Sequence, residues 1–168
     1  DAVGIVTEVG EQCSLFKVGD KVFYAGDMSR QGSNAEYQLV DERVVGNAPS
    51  SISNAEIAAL PLTAITAYEM LFDRLQVDVK GKYQTQDNTV LVTGGAGGVG
   101  SIMIQLLKVL TPEVTVIATA SREASQAWCT KMGADHVINH NKGIKQELDR
   151  IGIEHVSHIA SITHTHLH

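Results

Sequence analysis

The stretch Thr93-Gly94-Gly95-Ala96-Gly97-Gly98-Val99-Gly100 places five glycines in seven positions, between a strand-like aliphatic run and a helix-like apolar stripe. It contains the spacing GxGxxG as Gly95, Gly97 and Gly100. A strand that turns this abruptly into a helix needs residues without a Cβ: for the tight turn, for close approach of backbone to an anion, and for packing of the helix on its strand. The N–H groups and positive end of such a helix hold a pyrophosphate. A glycine turn that serves architecture alone is the competing reading. A P-loop is excluded, because no Lys-Ser or Lys-Thr pair follows the glycines.

The apolar pattern around that turn sets the fold class. Thr89 to Thr93 reads as a strand, and Val99, Ile102, Met103, Leu106 and Leu110 form one stripe of a helix. Val114 to Ala118, His136 to Ile138 and Val156 to Ile162 read as further strands, alternating with helices around Glu123 to Met132 and Gly143 to Ile151. Strands separated by helices of this length predict a parallel sheet with right-handed crossovers. Upstream, Gly4 to Val9, Lys21 to Tyr24 and Ala35 to Val40 predict short strands of a small β segment. Ser53, with Glu56 three residues on, predicts an N-cap for the run Asn54 to Leu60. Pro61 interrupts that run, and Leu62 to Leu75 reads as a second helix before the polar loop Lys80 to Asn88.

Composition closes off several classes. The net charge is −6 and the basic residues are scattered, which argues against a nucleic acid partner. Apolar runs such as Ile57 to Leu62 fall well short of the ~18 residues a spanning helix needs, and no charged segment followed by an apolar core opens the chain. Neither a membrane partner nor an export signal is expected. Cys13 and Cys129 are far apart and in no CxxC spacing, which fits a reducing, cytoplasmic compartment.

The second candidate element follows the strand after the glycines, where a dinucleotide site that takes NAD usually offers an Asp or Glu to the ribose. Here the strand ends Thr119-Ala120-Ser121-Arg122. A hydroxyl beside a guanidinium would hydrogen-bond and neutralise a 2′-phosphate, so NADPH is favoured over NADH. Ser121 could instead cap the following helix, with Arg122 solvated or paired with Glu123.

With these residues in hand, the chain resembles the medium-chain dehydrogenase/reductase superfamily, in its quinone-oxidoreductase-like, zinc-type alcohol dehydrogenase-like branch. The resemblance spans essentially the whole chain. It rests on Gly4-Ile5-Val6 through Val9-Gly10, Phe16-Lys17-Val18-Gly19-Asp20-Lys21-Val22, Asn34-Ala35-Glu36-Tyr37, Ala58-Ala59-Leu60-Pro61-Leu62-Thr63, Thr66-Ala67-Tyr68, the glycine turn, and Gly133-Ala134-Asp135-His136-Val137-Ile138-Asn139. It implies an α/β fold: a partial Rossmann domain, a doubly wound parallel sheet over 51–168, preceded by part of a GroES-like catalytic domain over 1–50. The chain would then be an internal fragment, with its strand near Ile159 left as an unpaired edge and the isolated piece poorly soluble or inactive.

The resemblance also implies roles. Thr66 and Val99 look like the residues that back a nicotinamide ring, the backbone of Gly97, Gly98 and Val99 meets the pyrophosphate, and Ser121 and Arg122 meet the 2′-phosphate. Where many relatives carry a Lys after Ser121 and a Tyr after Ile138-Asn139, this chain has Ser125, Gln126 and His140. The activity implied is NADPH-dependent hydride transfer to a quinone, enone or aldehyde in a homodimeric parent enzyme. No proton donor can be named from the residues present. A zinc-dependent alcohol dehydrogenase is the first alternative and a non-catalytic NADPH sensor the second.

Absences bear on the zinc alternative. Zinc-dependent relatives place a Cys ligand six residues before the Tyr of the Thr-x-Tyr helix, and that position is Leu62. Their structural-zinc lobe carries four cysteines between the Gly-Asp-Lys-Val and Ala-Glu-Tyr segments, whereas 25–34 contains none. No metal is therefore expected. The terminal His155, His158, His164, His166 and His168 read as an exposed tail rather than a ligand set, and Cys129 as a buried helix residue rather than a nucleophile.

Overall fold

The computed structural model describes residues 1–77 and 88–162; most of the predicted polar loop and the histidines at 164, 166 and 168 lie outside the described residues. The chain divides into two compact units, Asp1–Ile65 and Thr66–His168.

The first unit is built on a three-stranded antiparallel sheet, β1 (Ala2–Ile5), β2 (Lys21–Tyr24) and β3 (Val45–Asn47), in that spatial order. The register pairs Val3 with Phe23 and Phe23 with Gly46. The approach to β2 is a turn in which Lys17 N–H donates to the Asp20 carboxylate at 2.9 Å and Gly19 N–H to the Val6 carbonyl at 2.8 Å. Helix α1 (Asn54–Ala58) starts at the expected capping box: Ser53 Oγ accepts the Glu56 N–H while the Glu56 carboxylate accepts the Ser53 N–H. It packs on β1 and β2 and buries Ile57 completely.

One predicted element is corrected. Ala35 to Val40 alternates as a strand would, yet it forms bends and loop. Alternation stabilises a strand only if a neighbour takes its hydrogen bonds and one face is buried. Here Tyr37 and Leu39 are exposed, and Gln38 is instead tied down through its side chain, accepting from Tyr24 Oη at 2.8 Å and donating to the Gln31 carbonyl at 2.6 Å.

Helix α2 (Pro61–Tyr68) begins at a proline, which suits a first helical turn because its missing N–H needs no partner there. The helix widens into a π-helical turn over Glu69–Arg74, closed by Leu75 N–H donating to the Met70 carbonyl at 3.0 Å.

In the second unit a parallel sheet runs in the order β6 (His136–Ile138), β5 (Thr115–Thr119), β4 (Thr89–Val92), β7 (His158–Ala160). All of β4 is buried. Its residues alternate between two apolar layers: Val90 and Val92 join the core with Met103, Ile104, Leu107 and Cys129, while Leu91 packs with Ile117, Ile138 and the side of Ile144 and Leu148. That is why β4 reads as a continuous hydrophobic run rather than an alternating one.

Helix α3 (Gly98–Leu110) turns Gly100, Met103, Ile104 and Leu107 inward, one residue out of phase with the stripe read from the sequence. The three large side chains are fully buried, each worth about 1.5–3 kcal/mol of burial. Helix α4 (Glu123–Met132) ends at Gly133, whose φ of 107° is the left-handed conformation a helix stop requires; Ala134 N–H then donates to the Cys129 carbonyl. The next residue, Asp135, accepts from Lys108 Nζ of α3 at 2.8 Å and from the Val116 N–H of β5 at 2.8 Å, so the Gly-Ala-Asp segment locks α3, α4 and β5 together. Helix α5 (Ile144–Arg150) covers the opposite layer.

Candidate functional site

A parallel sheet brings all its carboxyl ends to one edge, and the register sets Val92 level with Ala118 on one side and Ala160 on the other. The order β6-β5-β4-β7 makes the gap between β4 and β7 the point where the chain reverses its winding direction, the place where open α/β sheets take their ligands. A cleft of about 160 Å3 opens there, lined by Thr93, Gly97, Gly98, Val99, Gly100, Met103, Ala160 and Ile162. Thr93 ties its two walls, its N–H donating to the Ala160 carbonyl at 3.0 Å.

The glycine turn forms one wall, and its geometry explains its composition. Gly94 has φ +63°, a conformation in which an L side chain is strained. Its N–H donates to Thr119 Oγ1 at 2.9 Å and the Gly95 N–H to the Thr119 carbonyl at 3.1 Å, which pins the turn to the end of β5. Gly95 is pressed onto the sheet: a Cβ there would lie 2.7 Å from Ala118 Cβ and 3.0 Å from Cys129 Sγ. On Gly100 it would lie 2.5 Å from the Gly94 carbonyl oxygen. Gly97 is the N-cap of α3, with no side chain capping the helix, and Gly97 and Gly98 are exposed. The first N–H groups of a helix have no intrahelical acceptor, so this end offers bare donors and a positive partial charge to an anion in the cleft.

The other predicted residues fall along the same sheet edge or near it. Ser121 is half-buried two residues beyond the end of β5, and Arg122 is exposed. Arg122, not Ser121, is the N-cap of α4, no side chain caps that helix, and Arg122 makes no ion pair with Glu123 among the described residues. His140 lies two residues beyond β6 in a short 3-10 turn, half-buried. That turn is fixed by Asn139, whose Oδ1 accepts the Asn141 N–H at 3.0 Å and whose own N–H donates to the Glu147 carboxylate at 3.0 Å. Thr66 is half-buried on α2, beside Ala67, which joins the core shared by Met103 and Ala160. It is not part of the cleft wall. Reading the sequence missed Thr93, Met103, Ala160 and Ile162; the strand order and the rule that ligands sit at strand carboxyl ends were the available signals.

Known proteins resemble this chain in sequence and in fold. A zinc-type alcohol dehydrogenase-like protein of Staphylococcus aureus (strain COL) is 48% identical over 90% of this chain and 44% of its own length. A solved protein of Rhizobium etli CFN 42, assigned by name to the zinc-dependent alcohol dehydrogenases, superposes with a TM-score of 0.91 at 49% identity, over 98% of this chain and 47% of that one. Escherichia coli quinone oxidoreductase, solved in complex with NADPH, gives a TM-score of 0.70 at 26% identity, over 92% of this chain and 44% of that one. The chain belongs to the medium-chain dehydrogenase/reductase superfamily. Within that superfamily it falls in the alcohol dehydrogenase-like and quinone oxidoreductase-like group, with a four-stranded parallel α/β sheet of Rossmann type. No family model matches the chain. It spans about half the length of the curated relatives it matches.

Leu62 offers no ligand atom, and among the described residues no three His, Cys, Asp or Glu side chains are placed to hold a metal ion. Cys129 is fully buried, and burial pushes its thiol above the ordinary range, the opposite of what a nucleophile or a metal ligand needs. No helix among the described residues is long and apolar enough to cross a membrane.

Proposed function

We propose that this chain carries the coenzyme site of an NADPH-dependent reductase that passes hydride to a quinone or an α,β-unsaturated carbonyl. The observation that carries the reading is the uncapped N-terminus of α3 at the β4–β7 cleft, where a Cβ on Gly95 or Gly100 would collide with its surroundings. In this reading the N–H groups of Gly98 and Val99 hold the pyrophosphate and the Gly97 backbone lies against it, its own N–H donating to the Gly94 carbonyl at 2.9 Å, while Gly95 and Gly100 keep the turn closed enough to present them. Thr66 and Val99 back the nicotinamide ring, and His140 borders the adenosine end. Ser121 and Arg122 hold the 2′-phosphate; the exposed guanidinium, engaged by no carboxylate among the described residues, is available for a doubly charged anion. When bound, the coenzyme supplies the hydride. The protein's part is orientation, with residues 1–50 belonging to the catalytic domain and 51–168 to the coenzyme domain.

The test is a titration of full-length protein and its Arg122→Ala variant with NADPH and NADH, followed by nicotinamide fluorescence. A preference for NADPH that shrinks about tenfold in the variant is expected, the scale of one lost charge-assisted contact. Equal affinity for the two nucleotides in the unmodified protein refutes the NADPH assignment, and binding of neither refutes the coenzyme site.

A further inference from the structure

We propose that Trp128 is a positioning residue for the glycine turn, acting through the buried hydroxyl of Ser101; this rests on the coenzyme reading above. Trp128 lies on α4 and Ser101 in the first turn of α3, 27 residues apart in sequence. The indole Nε1–H donates to Ser101 Oγ at 2.8 Å. Ser101 in turn holds two glycines of the turn: its N–H donates to the Gly97 carbonyl at 2.8 Å, and its hydroxyl makes a long contact of 3.5 Å to the Gly95 carbonyl.

A hydroxyl has one proton and two lone pairs, and its proton is free to rotate. With the indole occupying a lone pair, the Ser101 proton is directed to Gly95. The same helix supports the turn from below, since Cys129 Sγ is the atom a Gly95 Cβ would meet at 3.0 Å. Helix α4 therefore reaches the turn by two routes, directly by packing through Cys129 and indirectly through the hydrogen bond from Trp128 to Ser101. The indole is 41% exposed, and the Lys131 ammonium lies 5.4 Å from its ring centroid.

This position has a specific consequence. The turn faces the pyrophosphate, which NADPH and NADH share, whereas Ser121 and Arg122 face a group only NADPH carries. Loss of the indole N–H must weaken both nucleotides alike and leave their ratio unchanged. A ligand that has the 2′-phosphate and no pyrophosphate must be indifferent to it.

Full-length protein and its Trp128→Phe, Ser101→Ala and doubly substituted variants are titrated with NADPH, NADH and adenosine 2′-monophosphate, by directly excited nicotinamide fluorescence for the first two and calorimetry for the third. Trp128→Phe is expected to weaken NADPH and NADH equally, about three- to tenfold for one hydrogen bond to a buried hydroxyl, with adenosine 2′-monophosphate unchanged. Ser101→Ala, the smaller change in volume, is expected to do the same, and the double variant to lose no more than either single one. Unchanged coenzyme affinity in Trp128→Phe overturns the proposal while leaving the coenzyme site standing. So do equal losses for all three ligands, which mark a general loss of fold, or single losses that multiply. Unmodified protein that binds none of the three overturns both.

Discussion

A Cβ added to Gly100 would stand 2.5 Å from the carbonyl oxygen of Gly94 and 2.8 Å from the Cα of Gly95. Both neighbours are backbone, so no side chain can swing aside; the turn itself must open. The same Cβ on Gly97 would meet the Gly94 oxygen at 3.3 Å, a separation that a shift of a few tenths of an ångström relieves.

Gly100→Ala is therefore expected to lower stability by about 1–3 kcal/mol, the usual cost of overpacking, and to reduce NADPH affinity well beyond tenfold. Gly97→Ala is expected to keep most of the stability. Thermal unfolding of the two variants beside coenzyme titration checks the order. Equal melting temperatures for Gly100→Ala and the unmodified protein would contradict the tight-turn argument.

Glu147 gives a pH dependence of definite sign. Arg150, donating from its guanidinium at 3.0 Å, and then the Asn139 N–H hold the Glu147 carboxyl down to about 2. Because the folded value lies below the unfolded one, this contribution to stability is complete above pH ~4.5 and is lost as pH falls toward 2. Denaturant unfolding across that window is expected to show a shallower decline for Glu147→Gln than for the unmodified protein. Hydrogen exchange at the Asn139 amide is expected to accelerate in the variant already at neutral pH. Parallel acid profiles would remove Glu147 as the tie between α5 and the turn that carries His140.

The two cysteines are expected to separate cleanly by reactivity. Cys13 is exposed, while Cys129 is buried beneath the glycine turn with its thiol pushed up by burial. A maleimide applied to native protein should label Cys13 alone, and Cys129 only after denaturant is added; mass spectrometry of the digested protein reads the sites. Rapid native labelling of Cys129 would show that the turn opens far more often than its packing allows.

Much of the fold was legible locally. Periodicity and punctuation marked β2, α4 and β6 at the bounds observed, because each is bracketed by residues with strong local preferences, such as Gly133 at the end of α4. Ser53 and Glu56 announced the start of α1 for the same reason: both partners of the capping box lie within one turn. The glycine turn was the most legible feature of all, since the absence of a Cβ is a property of the residue itself.

The tertiary structure decided what depends on partners distant in sequence. Ala35 to Val40 alternates like a strand but finds no neighbour among the described residues to accept its ladder, so a pattern that is sufficient locally remains a loop. Ala160 and Ile162 enter the cleft only because β7 pairs beside β4, nearly seventy residues away, and hydrophobic residues carry no mark of the strand they will sit beside. The bonds from Trp128 to Ser101 and from Asn139 to Glu147 depend likewise on how two elements dock. Sequence alone thus determined where the backbone can turn and which faces are apolar, because those are properties of residues and their near neighbours. Packing determined which donor meets which acceptor, because that is a property of the three-dimensional arrangement of the sheet and its helices.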